Sequence, residues 1–174
     1  MKILAVRGKN LASLEGEFNI DFRSEPLCSA GIYAITGCTG SGKSTLLDAI
    51  CIALFNKSPR TYKISKPADI EDIGGKSIKE NDPRNILRRG TSDGFAEVDF
   101  LAIDKKEYRA TWSVYRAYHK ANGAIKDDSC TLFCISDNIA VSGGKTETLK
   151  KKIKVFHYSN TRDSSTIFSM HIYF

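Results

Sequence analysis

The sequence contains no long run of apolar residues. Its longest such run extends only from Ala49 to Phe55, whereas a helix that spans a bilayer needs about 20 apolar residues. The apolar start, Ile3 to Val6, is interrupted by Arg7 and is shorter than the hydrophobic region of a secretory signal, about 7–15 residues. We therefore expect a soluble, cytoplasmic protein without a membrane partner.

The sequence lacks regularly spaced cysteines and histidines. The five cysteines are Cys28, Cys38, Cys51, Cys130 and Cys134. Cys130 and Cys134 fall in one expected strand, where their Cα atoms would lie about 13 Å apart, and a disulfide needs less than about 7 Å. The three histidines have no metal-type spacing with cysteines or carboxylates. These patterns favour reduced cysteines and do not indicate a metal site.

The charge balance leaves the partner open. The net charge of +6 is compatible with a polyanion partner and equally with simple solubility. The stretch from Trp112 to Lys120 mixes aromatic and basic side chains, as nucleic-acid surfaces do. Because Trp112 alternates with Thr111 and Ser113, we expect it to face the core. The stretch therefore has two interpretations, a nucleic-acid surface and a strand with one buried face.

The first part of the chain predicts a β-hairpin followed by a further strand. Lys2 to Arg7 is a short apolar strand, and Asn10 to Gly16 forms the turn. From Phe18 to Phe22 apolar side chains alternate with polar ones, which is typical of a strand with one buried face. Gly31 to Thr36 is a compact apolar segment, which we interpret as a strand.

The stretch from Lys43 to Phe55 predicts a buried helix. Apolar residues cover nearly its whole circumference, and Asp48 is the one charged residue after Lys43. Asn56 to Pro59 is expected to end the helix. Residues 58–93 contain several proline and glycine breakers, and we interpret them as a surface connection with at most one short helix.

The following part predicts an antiparallel β-meander. Period-two alternation covers Phe95 to Ile103 and Glu107 to Arg116, with a tight turn between them. Thr131 to Ile135 predicts a further strand after a turn at Asn122-Gly123, and Thr146 to Ile153 predicts the start of a helix. The predicted fold class is α/β, built from an N-terminal β-hairpin, a strand-loop-helix unit and an antiparallel meander.

A glycine-rich loop lies between the predicted strand and the predicted helix. Its residues are Gly37, Cys38, Thr39, Gly40, Ser41, Gly42, Lys43 and Ser44. They satisfy the P-loop pattern in full and in the right context. Glycines let successive N–H groups point at phosphate oxygens, and the helix N-terminus adds positive charge. In such a loop Lys43 reaches the β- and γ-phosphates and the Ser44 hydroxyl ligates Mg²⁺. The sequence therefore predicts binding of a nucleoside triphosphate, for which we expect ATP with Mg²⁺.

The partners that a hydrolytic site needs are not evident. Phe100 to Asp104 resembles a Walker B element, but Lys105 follows in place of an acid. We therefore interpret Asp104 as a residue that initiates a turn. Asp72 to Gly75 resembles the D-x-x-G motif of GTPases, but the sequence has no N-K-x-D motif for guanine. We interpret this second match as chance in a flexible loop.

Several motifs spread along the chain carry a family resemblance. They are Lys9-Asn10-Leu11-x-Ser13-Leu14, Ala34 to Gly37, Lys43 to Cys51, Ser58-Pro59-Arg60, Asp82 to Gly90 and Ala96 to Phe100. Together they resemble the SbcC subunits of the SbcCD exonuclease. The similarity covers about residues 1 to 154, which we interpret as one domain.

The resemblance implies the N-terminal lobe of an ABC-type ATPase head, a P-loop NTPase half-domain, with two heads that sandwich two ATP molecules. By that resemblance Gly37 to Thr45 bind the nucleotide, Lys43 is the catalytic residue, and the loop from Asn10 to Ser13 lies close by. A basic or amide side chain is commoner in the family at the position of Ala12. The implied partners are the C-terminal lobe of the same head, an SbcD-like nuclease subunit, duplex DNA and a second head, in double-strand-break repair.

The chain departs from the family in one respect that bears on activity. It contains no glutamine, so the family's Q-loop glutamine, which links Mg²⁺ and the attacking water to the coiled-coil base, is absent. The family's signature motif, Walker B pair and switch histidine belong to the C-terminal lobe. We therefore expect a truncated ATPase that does not turn over ATP alone. Two alternatives stay open, a small stand-alone P-loop kinase or GTPase and a decayed remnant without activity.

Residues 155–174 show no resemblance to the SbcC motifs. Lys150-Lys151-Lys152 can be encoded by an unbroken run of adenines, where insertions and deletions are frequent, and the resemblance ends within a few residues of it. The stretch from Ser159 to Ser165 is polar without a period. Two origins of this tail are open. One is a reading-frame shift, with a disordered or aggregation-prone tail, and the other is a genuine short helix or strand.

Overall fold

A six-stranded antiparallel sheet forms the body of the described chain, which comprises residues 1–30, 32–60, 64–73 and 75–143 of the computed structural model. Its strands are β1 (Lys2–Leu11), β2 (Leu14–Asp21), β5 (Asp93–Leu101), β6 (Glu107–Tyr115), β7 (Ser129–Cys134) and β8 (Ile139–Gly143), in the order β2-β1-β5-β6-β7-β8. The helix α1 (Lys43–Phe55) packs against β1, β5 and β6. A separate two-stranded sheet pairs β3 (Asp69–Glu71) with β4 (Ser77–Lys79).

The N-terminal hairpin is confirmed, and its strands are longer than the sequence indicated. Strands β1 and β2 are antiparallel neighbours, and Leu11 faces Leu14 across the turn. Asn10 and Ala12 have positive φ angles of 53° and 44°, which residues other than glycine adopt uncommonly. The observed turn consists of Ala12-Ser13 and is shorter than the turn predicted over residues 10–16.

Helix α1 begins and ends where the sequence predicts. Gly42 precedes its first turn with a φ angle of 92°, and Asn56 ends it in the left-handed conformation, with its N–H donating to the Ile52 carbonyl oxygen. Most of the helix is buried, including Thr45 and Asp48, as expected for a helix that is apolar nearly all round. Packing on the sheet therefore fixes the helix and, with it, the position of the preceding loop.

The core lies between α1 and the inner face of the sheet. Alternate residues of β5 and β6 point into it, and Val98, Phe100, Ala110 and Trp112 are completely buried. The Trp112 indole N–H donates to the Asp128 carboxylate at 2.9 Å, so the polar atom of this buried ring is satisfied. Burial of each large apolar side chain contributes about 1.5–3 kcal/mol. The prediction that Trp112 faces the core is confirmed.

The strand predicted at Gly31–Thr36 is wrong for the residues that the structure describes. Residues 32–36 are not part of a strand, and Ile32 and Ile35 are 92% and 45% exposed. A strand must pair its N–H and C=O groups with a neighbour, and no described strand pairs with this segment. The apolar pattern indicated a tendency to be buried, but it could not indicate whether a pairing strand is present.

The connection from residue 58 to residue 93 is more ordered than the sequence indicated. It contains the β3–β4 hairpin and a 3₁₀ turn at Pro83–Ile86, which fits the one short helix predicted. Asp82 caps that turn by accepting the Arg84 N–H at 2.9 Å. Asp72 lies in the loop between β3 and β4, as interpreted, but its carboxylate is buried in an ion pair with Arg116.

Strands β5, β6 and β7 follow the predicted meander, and β8, which the sequence analysis did not predict, extends it. Strands β5, β6, β7 and β8 are successive antiparallel neighbours, and Cys130 and Cys134 on β7 are buried thiols outside any disulfide, as expected. The helix predicted at Thr146–Ile153 and the tail 155–174 lie outside the described residues. Within the described ranges, no helix combines the length and the apolarity needed to cross a bilayer.

Candidate nucleotide-binding site

The glycine-rich loop runs directly into α1, and its backbone conformation depends on glycine. Gly40 and Gly42 have φ angles of 84° and 92°, in the left-handed region that other residues rarely adopt. A Cβ atom on Gly37 would lie 2.7 Å from the Ser41 Oγ, and one on Gly42 would overlap the Leu14 side chain. The loop therefore contacts the hairpin closely at Gly42, and neither Gly37 nor Gly42 has room for a larger residue.

The N-terminus of α1 presents free backbone donors beside the loop. Gly42 has no side chain with which to cap the helix, and no side-chain cap bond is present there. The first N–H groups of a helix lack intrahelical partners and carry a partial positive charge. The Leu46 N–H bonds within the helix, to the Gly42 carbonyl oxygen at 2.9 Å. The N–H groups of residues 43–45 therefore fit the oxygens of a phosphate.

Lys43 extends back over the loop. Its ammonium donates to the carbonyl oxygens of Gly37 at 2.6 Å and of Cys38 at 2.8 Å. A phosphate oxygen can accept the same hydrogen bonds, and its negative charge makes them stronger. The cation is thus held beside the helix N-terminus, where one polyphosphate could contact both.

The loop, the first turn of α1 and the β1–β2 turn surround a hollow of about 510 Å³. Its lining consists of Ala12, Ser13, Thr39, Gly40, Ser41, Gly42, Lys43, Ser44, Thr45 and Arg60. The volume is within the range of small-molecule sites, about 300–1,000 Å³. The structure thus brings Ser13 and residues 39–45 of the predicted site together, with Gly37 and Cys38 at the Lys43 ammonium.

Hydroxyl groups line the hollow beside the lysine. Ser44 is part of the lining, and the Ser13 Oγ lies 3.1 Å from the Thr45 Oγ1. Mg²⁺ at nucleotide sites is held by few protein oxygens together with substrate phosphates and water, and the Ser44 hydroxyl fits this donor set. In the described part of the chain, no three His, Cys, Asp or Glu side chains converge as a metal cluster. The Ser44 hydroxyl is therefore a group of this lining that could ligate a metal bound together with phosphates.

Asn10 is not among the residues that line the hollow. Its side-chain amide donates to the Asp93 carbonyl oxygen at 3.0 Å, and its Oδ1 accepts the Gly16 N–H at 3.0 Å. Both ends of the side chain are thus committed to backbone groups of the sheet. A direct contact between Asn10 and a nucleotide stays a prediction, and the geometry does not favour it.

Arg60 lines the hollow, although the sequence analysis did not assign it to the site. Its guanidinium forms an ion pair with the buried Asp48 of α1, and its Nη2 lies 3.4 Å from the Thr45 Oγ1. The Ser58 hydroxyl donates to the same carboxylate at 2.8 Å. Two signals were present in the sequence: the Ser58-Pro59-Arg60 motif, and a lone charge on an apolar helix, which needs a partner when buried.

The Walker B-like segment ends in a turn, as the sequence predicted. Asp104 accepts the Lys106 N–H at 3.0 Å and the Tyr108 hydroxyl at 2.7 Å. Burial and the hydrogen bond to Asp104 raise the pKa of Tyr108. Asp104 therefore shapes the β5–β6 turn, and it is not among the residues that line the hollow.

The aromatic and basic stretch from Trp112 to Lys120 does not form one exposed surface. Trp112 is in the core, and the Arg116 guanidinium is buried against Asp72. Tyr118, in contrast, is 89% exposed. Two of the side chains on which the nucleic-acid interpretation depends, Trp112 and the cation Arg116, are therefore buried.

Known proteins match nearly the whole chain. Residues 5–171 match the family described as an AAA domain. The SbcC subunit of nuclease SbcCD from Pseudomonas aeruginosa is 47% identical over 154 residues, which are 88% of this chain and 13% of that protein. The protein of the same name from Rhodobacter capsulatus is 40% identical over 153 residues, 88% of this chain and 12% of that protein. Chromosome partition protein Smc of Bacillus subtilis is 30% identical over 142 residues, 79% of this chain and 12% of that protein. The chain thus spans about one eighth of the length of these relatives.

Proposed function

Because the chain belongs to the AAA domain family, we propose that it is the N-terminal ATP-binding lobe of an SbcC-like ATPase head. Its similarity to two SbcC proteins supports this assignment. The observation that carries it is the position of the Lys43 ammonium, over the glycine-rich loop and beside the uncapped first turn of α1. A cation, a helix N-terminus and free N–H groups meet at one hollow, which suits a polyphosphate.

The residues of the hollow have distinct roles in the proposed site. The backbone from Gly37 to Ser44 and the Lys43 ammonium bind the β- and γ-phosphates, and the Ser44 hydroxyl is the proposed ligand of Mg²⁺. Bound Mg²⁺ neutralises charge on the phosphates. Ser13 and Thr45 form the wall that faces the loop, joined by their hydroxyl contact.

The hollow lacks the groups of a complete hydrolytic site. Its described lining contains no carboxylate, and the nearby Asp48 is tied to Arg60 and Ser58. We infer that attack of water on the γ-phosphate requires groups from the C-terminal lobe. The exposed segment 32–36, which has no strand partner among the described residues, is the proposed place where a strand of that lobe completes an ABC-type P-loop sheet.

The proposals for macromolecular partners are based on similarity to the relatives rather than on the geometry of the hollow. The SbcC relatives are named as parts of a nuclease, and on that basis we propose an SbcD-like nuclease subunit as a partner. By the same resemblance we propose duplex DNA as a ligand in double-strand-break repair, and a second head that pairs with this one across two ATP molecules. The cytoplasm is the proposed location.

A stand-alone P-loop kinase or GTPase is not favoured. Such a protein would alternate strands and helices after the loop, whereas β5 to β8 form an antiparallel meander. A decayed remnant differs from our proposal in one measurable property, which is nucleotide binding.

Thermal unfolding with and without ATP and Mg²⁺ tests the proposal. A ligand that binds only the folded chain stabilises it by about 2.7 kcal/mol at 100 times its Kd, so the unfolding midpoint should rise. The Lys43→Ala variant is the control and should show a much smaller rise. An unchanged midpoint for the unmodified chain at millimolar ATP would favour the inactive remnant.

We also propose a division of the chain into a lobe, residues 1–154, and a tail, residues 155–174, that arises from a reading-frame shift. The match to the Pseudomonas relative has the length of this lobe, which supports the division, whereas the family match extends to residue 171, which does not. Translation of the other two frames after Lys152 tests the origin. One frame should restore a glutamine-containing segment and then coiled-coil heptads, and early stop codons in both would contradict the shift.

A further inference from the structure

One wall of the hollow is the β1–β2 turn. Ala12 and Ser13 line the hollow, and the Ser13 Oγ lies 3.1 Å from the Thr45 Oγ1 on α1. The next residue, Leu14, packs directly against Gly42, where a Cβ atom would overlap its side chain. The position of this turn therefore sets the width of the hollow on this side.

The turn has an unfavourable backbone conformation. The φ angles of Asn10 and Ala12 are 53° and 44°. Asparagine tolerates this left-handed region, but it is costly for Ala12 because its Cβ crowds the backbone. Such conformations persist only where the surrounding structure determines them. Contacts from outside the turn must therefore hold it in place.

The segment from Ile86 to Arg88 supplies these contacts. The Ala12 N–H donates to the Ile86 carbonyl oxygen at 2.7 Å, and the Arg88 N–H donates to the Asn10 carbonyl oxygen at 2.9 Å. The Arg88 side chain adds two more bonds, from Nη1 to the Ala12 carbonyl oxygen and from Nη2 to the Glu15 carboxylate, each at 3.0 Å. The guanidinium thus connects the tip of the turn to the start of β2.

We propose that Arg88 is a positioning residue for the nucleotide site and acts through the β1–β2 turn. This role rests on the nucleotide binding proposed above. Arg88 does not line the hollow, so its effect passes through Ala12 and Ser13. Without the guanidinium, the Ala12 carbonyl oxygen loses a charge-assisted hydrogen bond. The turn can then leave the left-handed conformation, and Ser13 moves away from Thr45.

Isothermal titration of the full chain with ATP and Mg²⁺ tests this role. Arg88→Ala should weaken binding about tenfold, the equivalent of about 1.4 kcal/mol. Arg88→Lys keeps the positive charge and can still donate one of the two side-chain hydrogen bonds, so it should weaken ATP binding less. Arg84→Ala is the matched control, because Arg84 lies in the adjoining 3₁₀ turn but pairs with Asp82 and Asp127 instead of the β1–β2 turn. Its affinity should equal that of the unmodified chain.

A double-mutant cycle separates positioning from a general loss of stability. Ser13→Ala should also weaken binding, and its combination with Arg88→Ala should weaken binding little beyond Arg88→Ala alone, because both act through one turn. Glu15→Gln removes only the ion pair between Arg88 and the Glu15 carboxylate, which is 78% exposed. It should change the affinity by less than about twofold, since exposed ion pairs contribute little.

Equal affinities of the unmodified chain and Arg88→Ala would overturn the role of Arg88 and leave nucleotide binding intact. Fully multiplicative effects in the double variant would overturn it as well. If Arg88→Ala does not fold, an Arg88→Lys affinity equal to that of the unmodified chain overturns the role instead. If the unmodified chain does not bind ATP, the proposed function has itself failed, and the role of Arg88 falls with it.

Discussion

Arg116 and Asp72 form a two-pronged ion pair that is almost completely buried. The Nη1–Oδ2 and Nη2–Oδ1 distances are 2.7 Å and 2.8 Å, and the two side chains are 4% and 7% exposed. Asp72 also accepts the Ile125 N–H at 3.3 Å. The end of β6, the β3–β4 hairpin and the segment before β7 thus meet at one carboxylate, away from the nucleotide hollow.

Removal of one partner of this pair should destabilise the fold strongly. Asp72→Asn leaves the Arg116 charge buried without a carboxylate, and such changes cost about 3–5 kcal/mol. Asp69→Asn is the matched control, because Asp69 pairs with Lys79 in the same hairpin with both side chains more than half exposed, and exposed pairs contribute about 0–1 kcal/mol. Urea unfolding at pH 7 measures both free energies. Similar decreases of the unfolding free energy in the two variants would show that the buried pair contributes little to stability.

The stability of the fold should fall in acid because of two paired carboxylates. Hydrogen bonds from Arg116 lower the pKa of Asp72. Burial acts to raise the pKa of Asp99, but hydrogen bonds from Arg109 and Arg7 outweigh it and lower that pKa. Because both pKa values are depressed in the folded chain, protons bind preferentially to the unfolded chain. The stabilisation is therefore present above about pH 4 and is lost as the pH falls further.

Urea unfolding between pH 7 and pH 3 measures this dependence. The unfolding free energy should be nearly constant above pH 5 and should fall below about pH 4. Asp99→Asn, which cannot titrate, should show a shallower fall than the unmodified chain. If the unfolding free energy falls equally steeply in both proteins, protonation of Asp99 does not contribute to the loss of stability in acid.

The cysteines of the loop and of α1 should differ in reactivity. Cys38 is exposed, whereas burial, with a smaller contribution from Asp48, raises the pKa of the Cys51 thiol to about 11. Because the thiolate is the reactive form, N-ethylmaleimide at pH 8 should label Cys38 at least about tenfold faster than Cys51. ATP with Mg²⁺ should slow labelling of Cys38 in the unmodified chain but not in Lys43→Ala. Peptide mass spectrometry gives both rates, and rapid labelling of Cys51 would contradict the burial of α1.

The chain alone should release phosphate from ATP at a negligible rate. Transfer to water needs a positioned nucleophile and stabilisation of the developing charge, and the described lining of the hollow contains no carboxylate to orient water. A phosphate-release assay should therefore give the same low rate for the unmodified chain and for Lys43→Ala. Steady release that Lys43→Ala abolishes would contradict this account and reveal a catalytic acid in the chain.

Elements with local signals were predictable from the sequence. Helix α1 was predicted to the residue because a glycine loop precedes it, apolar residues cover it, and Asn56 can adopt the left-handed conformation that ends it. The β1–β2 hairpin and the β5–β6 pair follow from period-two alternation joined by short turns. Most of the hollow was predictable for the same reason, since residues 39–45 form one continuous motif.

Features that depend on distant residues were not predictable. Residues 32–36 have a strand-like pattern, but a strand forms only where a neighbour pairs with it. The contacts of Arg60 with Asp48 and of Arg116 with Asp72 join separate elements, and no local pattern indicates which charges will meet. The β3–β4 hairpin has strands of three residues each, too short for a clear period.

Isothermal titration of ATP with Mg²⁺ into the unmodified chain and into Lys43→Ala tests the proposed phosphate site most directly. Hydrogen bonds to charged groups contribute about 1.5–3 kcal/mol, so loss of the Lys43 ammonium should weaken binding roughly 10- to 100-fold. Lys120→Ala, at an exposed lysine outside the hollow, controls for the change of net charge. We predict saturable binding by the unmodified chain and by Lys120→Ala, and much weaker binding by Lys43→Ala. Equal affinities in all three proteins, or no binding by any of them, would contradict a phosphate site in the glycine-rich loop.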